Sequence, residues 1–86
     1  MESYKILLKN SVNKDIRKID KTMIPKILSG IENLANNPFS NSVKKLIGSS
    51  NTYRLRVSEY RIIFILNEVD KEIVIQKVRH RKNAYK

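Results

Sequence analysis

Apolar positions along this 86-residue chain recur first at strand spacing, then at helical spacing, then at strand spacing again. The run "YKILL" (Tyr4 to Leu8) predicts a short first strand. After it, Val12, Ile16 and Ile19 recur at helical intervals, with Asn10 or Ser11 placed to cap the helix start. A second helix is expected from Thr22, its cap, with Pro25 tolerated in the first turn. Ile24, Ile27, Leu28, Ile31, Leu34 and Ala35 give that helix one wide apolar stripe, and "NNP" at Asn36 to Pro38 ends it. Residues Phe39 to Thr52 are rich in Ser, Asn and Lys and are expected to form a loop, apart from apolar Leu46 and Ile47.

Alternation then returns. "YRLRV" places Tyr53, Leu55 and Val57 on one face and Arg54 and Arg56 on the other. "YRIIFIL" is the nearly continuous apolar run of a central strand, and "EIVIQKV" is the strand after the Asn67 to Lys71 turn. The predicted order is β-α-α-β-β-β: an α+β protein with two N-terminal helices packed on a mostly antiparallel sheet. Residues 1–86 are expected to form a single domain.

Charge changes the picture. Eighteen Lys and Arg against eight Asp and Glu give a net +10. Such a surface attracts polyanions, whether nucleic acid, anionic lipid or an acidic protein. The acids are also unevenly spread: there is none between Glu32 and Glu59 and none after Glu72. With no cysteine, disulfides and thiolate metal sites are excluded. No apolar run approaches the ~18 residues of a membrane span. The opening "MESYKILLKN" lacks a signal-peptide layout, so the expected location is the cytoplasm, with no membrane partner.

The hairpins decide where the charges go. A tight turn at Ser58-Glu59 sets Val57 opposite Tyr60, Leu55 opposite Ile62 and Arg56 opposite Arg61. A symmetric Asn67 to Lys71 turn then sets Ile63 opposite Ile75 and Arg61 opposite Lys77. The expected result is a row of Arg56, Arg61 and Lys77 on one face, with Arg79 and Arg81 just beyond it. Like charges directly opposite one another destabilise a sheet, and a bound phosphate would reverse the sign of that interaction. His80 points away if the last strand stays regular, and toward the row if the strand ends near Arg79.

The chain has no Gly-rich phosphate loop, no paired histidines, no metal-spaced His/Asp/Glu cluster and no serine-triad context. Neither a cofactor nor a metal is expected. The chemistry left open is metal-free RNA cleavage, in which a ribose 2′-hydroxyl attacks the adjacent phosphorus. That reaction needs cations around the phosphate and a group that moves protons. Imidazole ordinarily titrates near neutral pH, which makes His80 the candidate for the second task. Tyr85 is a possible stacking platform for a base, or else packs the chain end onto the sheet.

"YRLRVSEYRIIFIL" followed by "VRHRKNAY" resembles the RelE branch of the RelE/ParE toxin superfamily, and the element order agrees over essentially the whole chain. The resemblance implies the toxin of a type II toxin–antitoxin pair, a ribosome-dependent endoribonuclease that cuts mRNA in the A site. It implies Arg56 beside the 2′-hydroxyl, Arg61 on the charged phosphate, Arg81 at the leaving group and Tyr85 orienting the substrate. Lys44, Lys45, Arg54, Lys77, Arg79 and Lys82 are the expected RNA contacts. Some members carry lysine where Arg56 stands; guanidinium does not readily lose its proton, which shifts acid–base work toward His80. The implied partners are the ribosome, mRNA and an acidic, partly disordered antitoxin that wraps the toxin and alone contacts operator DNA. The ParE branch, a non-catalytic gyrase inhibitor, and a plain RNA- or ribosome-binding module are the alternatives.

Overall fold

The computed structural model describes residues 3–82. It runs β1 (Lys5–Leu8), α1 (Asn10–Arg17), α2 (Ile24–Leu34), β2 (Val43–Lys45), β3 (Thr52–Val57), β4 (Tyr60–Asn67) and β5 (Glu72–His80). The strands form one sheet in the order β1-β5-β4-β3-β2. Only β1 and β5 pair in parallel; the other neighbours are antiparallel. This is the expected α+β arrangement with one strand added, because β2 lies inside the segment expected to be a loop. Three residues are too few to show a period. Val43 opposite Leu55 nevertheless turns inward, and Lys44 opposite Arg54 turns outward.

The helices start differently from expectation. α1 is entered through Lys9, whose carbonyl accepts the Val12 N–H, and no side chain caps it. At α2 the Asp20 carboxylate accepts both the Thr22 N–H (3.0 Å) and the Thr22 hydroxyl (2.9 Å). Thr22 is therefore occupied one step too early to cap, and α2 begins after Met23 with Pro25 in its first turn. Val12, Ile27, Ile31 and Leu34 pack with Leu55, Ile62, Phe64, Ile73, Ile75 and Val78 to make the core. Gly30 lets α2 approach β3: a Cβ there would stand 2.8 Å from Val57 Cγ2.

The Ser58-Glu59 hairpin has the expected register, with Arg56 opposite Arg61 and Leu55 opposite Ile62. The next hairpin does not. Asn67 pairs with Glu72 and Phe64 with Ile75, and then the register slips so that Ile63 pairs with Lys77 and Arg61 with Arg79. Gln76 is the extra residue of a β-bulge. Before it, Ile73 and Ile75 face the core; after it, Val78 does. A regular strand could not bury Ile73 and Ile75 and also turn Arg79 to the opposite face. The row across three strands is therefore Arg56, Arg61 and Arg79, with Lys77 one pair further along beside Ile63.

Candidate functional site

The face of the sheet away from the core carries Lys44 on β2, Arg54 and Arg56 on β3, and Arg61 on β4. With Asn41 and Ser42, these four cations line a concavity of about 320 Å³. None of the lining residues is acidic. Alternation accounts for Arg54 and Arg56, and the tight turn brings Arg61 alongside. Ser58 holds that turn with a φ of 53°, in the left-handed region that non-glycine residues enter at a cost. The Arg61 guanidinium folds back over it, donating from Nη1 to the carbonyls of Ser58 and Tyr60, each at 3.0 Å. Arg61 is thus oriented by the backbone before any ligand arrives.

The remaining candidates are distributed as follows. Arg79 is in the row by register, but its guanidinium turns over the free edge of β5 to pair with Asp15 of α1. Asp15 Oδ2 also accepts the Val78 N–H at 3.1 Å, closing the edge of β5 where β1 stops short. Arg81 pairs with Glu59 at 2.7 Å, and its N–H donates to the Glu59 carbonyl. Lys77 and Lys82 are exposed. Lys45 lies opposite Tyr53, on the alternate phase from Lys44 and so turned away from the concavity. Tyr85 lies outside the described residues.

His80 takes the first of its two expected courses and points away from the row. β5 continues past its bulge through His80, so the side chain emerges on the helix side opposite Tyr60, with ring centroids 5.4 Å apart in an edge-on contact. Its Nδ1 accepts the Lys82 N–H at 3.3 Å. It lines a second concavity of about 350 Å³ with Asp15, Lys18, Tyr60 and Arg79. The histidine and the arginine cluster are therefore on different faces. Asn41 and Ser42, which line the cation concavity, were not foreseen because they precede a strand too short to recognise.

The sheet thus carries two helices on one face and a cluster of basic side chains on the other. The model of the family described as the ParE toxin of type II toxin–antitoxin systems (parDE) matches residues 6–85, and the chain belongs to that family. Within the RelE/ParE toxin superfamily it falls in the RelE-like branch. It is 29% identical over 86 residues to the protein named toxin RelE1 of Methanocaldococcus jannaschii, covering 96% of each chain. The RelE–RelB complex of Pyrococcus horikoshii OT3 contains a chain 29% identical to this one, with a TM-score of 0.82 over 95% of this chain and 99% of that one. The RelB–RelE antitoxin–toxin complex of Methanococcus jannaschii gives 30% identity and a TM-score of 0.76, over 92% and 94%. The isolated E. coli RelE toxin, 18% identical with a TM-score of 0.78 over 91% of this chain and 84% of that one, shares the fold. The protein is a toxin of the RelE family.

Proposed function

We propose that this toxin is a metal-independent endoribonuclease that enters the ribosomal A site and cuts mRNA there, stopping translation in the cytoplasm. One observation carries the reading: Arg56 and Arg61 stand directly opposite one another, with Arg54 and Lys44 beside them and no acid in the concavity they line. Side chains so placed repel one another until an anion binds. In the reaction, the 2′-oxygen forms a bond to phosphorus as the bond to the 5′-oxygen breaks. The 2′-hydroxyl proton is released and the departing oxygen takes one up. Negative charge grows on the phosphate oxygens, where fixed guanidinium groups act most strongly.

Arg61, fixed by two carbonyls, holds the phosphate, and Arg56 flanks the attacking hydroxyl. Arg54 and Lys44 steer the RNA backbone. Arg81, paired with Glu59, is assigned to the leaving group, and Tyr85 to the base. His80 contributes from the far side of β5, supporting the strand end against Tyr60 rather than touching the reacting atoms. The protein acts as one toxin domain over residues 1–86. Its partner is an antitoxin, as in the archaeal RelE–RelB complexes it is similar to, and the +10 charge suits an acidic wrapping segment that alone contacts operator DNA.

Translating a defined mRNA in vitro with added toxin and mapping 5′ ends by primer extension tests the reading. Cuts within A-site codons are expected. Intact mRNA together with blocked DNA supercoiling by gyrase would instead support a ParE-type target, in keeping with the family that matches. Intact mRNA with supercoiling unaffected would leave an RNA- or ribosome-binding module.

A further inference from the structure

A second concavity, of about 480 Å³, adjoins the cationic one, and Ser42 and Arg56 line both. It lies between the end of α2 and β3. Leu34, Leu55, Val57 and Gly30 form its apolar part. Gly30 is necessary there, because a Cβ would press on Val57 Cγ2 at 2.8 Å. The polar part comes from one turn: Asn33 closes α2, and its carbonyl accepts the N–H groups of Asn36 and Asn37. Asn33, Asn36 and Asn37 therefore line the concavity together, joined by Ser40 and Ser42 on the way into β2. Asn37 uses its Oδ1 to accept the Phe39 N–H, whereas among the described residues the side-chain amides of Asn33 and Asn36 make no hydrogen bond.

The groove thus changes character at Arg56. On one side it is cationic and suited to phosphate; on the other it is apolar with neutral amides at the rim. A nucleotide has the same order, a charged phosphate followed by a flat neutral base with donors and acceptors on its edge. An asparagine amide offers both a donor and an acceptor, which is what pairing with a base edge requires. Apolar lining with a few polar groups is also the usual composition of a small-ligand pocket. A second phosphate would find no cation there beyond Arg56. We infer that the concavity between α2 and β3 is a nucleobase subsite, in which Asn33 and Asn36 read the edge of the base next to the phosphate held by Arg56. This rests on the reading of the cationic concavity as a phosphate site, and makes the asparagine turn a determinant of sequence preference.

The full chain, ¹⁵N-labelled at low salt, is titrated with ribose 5-phosphate and with the four nucleoside 5′-monophosphates. Ribose 5-phosphate is expected to move the Nε resonances of Arg54 and Arg56 and to leave the asparagine amides unmoved. At least one nucleotide is expected to bind roughly tenfold tighter and to move the side-chain amides of Asn33 and Asn36. The double substitution N33A/N36A should remove that gain and keep the affinity for ribose 5-phosphate, with an unchanged amide spectrum elsewhere showing that the variant is folded. Nucleotides that bind no tighter than ribose 5-phosphate, or a gain that survives the double substitution, overturn the subsite and leave the phosphate site standing. If ribose 5-phosphate and the nucleotides all leave the arginine resonances unmoved, the phosphate site itself fails and the subsite with it.

Discussion

Arg56 and Arg61 oppose one another across β3 and β4 with no acid in the concavity, so at this pair stability and function pull in opposite directions. Arg56 is exposed, and removing it relieves the repulsion. Arg56→Ala should raise unfolding stability by a few tenths of a kcal/mol, up to about 1. The same change should slow single-turnover cleavage by roughly 10²-fold, the loss typical of one aimed cationic or oxyanion donor. Denaturant melts and cleavage time courses on the same preparation would check both signs. His80 supplies the converse case. Set against Tyr60 on the helix side, His80→Gln should slow cleavage by less than about tenfold, well below the 10² to 10⁴ that a general acid or base supplies. A larger loss, with a displaced pH–rate profile, would return the proton-moving role to this residue.

The elements explain why part of the site was legible in the sequence and part was not. The β3–β4 hairpin could be read because the alternation "YRLRV" and the two-residue turn fix one register, and the arginines follow from it. β5 could not, because its bulge at Gln76 leaves only a spacing of three between buried Ile75 and Val78 as its trace. That bulge replaces Lys77 with Arg79 in the row. Long-range partners were also invisible: nothing local predicts that Asp15, only 11% exposed, closes the edge of β5 at Val78 and draws Arg79 to it. Asp15→Ala should therefore destabilise the fold by about 1–2 kcal/mol in denaturant melts, mainly through the unsatisfied Val78 N–H. At the entry to α2, the Thr22 N–H and then its hydroxyl hold the Asp20 carboxyl below its ordinary value of 3.8. Because the folded value is the depressed one, the contribution is present above 3.8 and is lost as pH falls through the folded value. Thr22→Val keeps the N–H and loses the hydroxyl, so the Asp20 titration followed by NMR should move back toward 3.8.

At the scale of the whole molecule, the two faces of the sheet divide the work. One is buried under two helices and supplies the stability; the other gathers cations that contribute little to stability. With a net charge of +10, association with a polyanion should weaken steeply with salt, as cations neutralise phosphates and release counterions. Replacing Arg54 by alanine should lower the log–log salt slope of RNA binding by about 1. Among the described residues no helix is long and apolar enough to cross a membrane. The account turns on whether the guanidinium groups of the open face act on a breaking phosphodiester. The most direct measurement is the single-turnover rate on programmed ribosomes, comparing wild type with Arg61→Ala on an all-ribose codon and on one carrying a single 2′-deoxy substitution at the cut. Cleavage of the ribose codon by the wild type, at least about 10²-fold slower with Arg61→Ala and abolished by the 2′-deoxy sugar, is the predicted result. Equal rates for wild type and Arg61→Ala, or continued cutting of the deoxy-substituted codon, would contradict it.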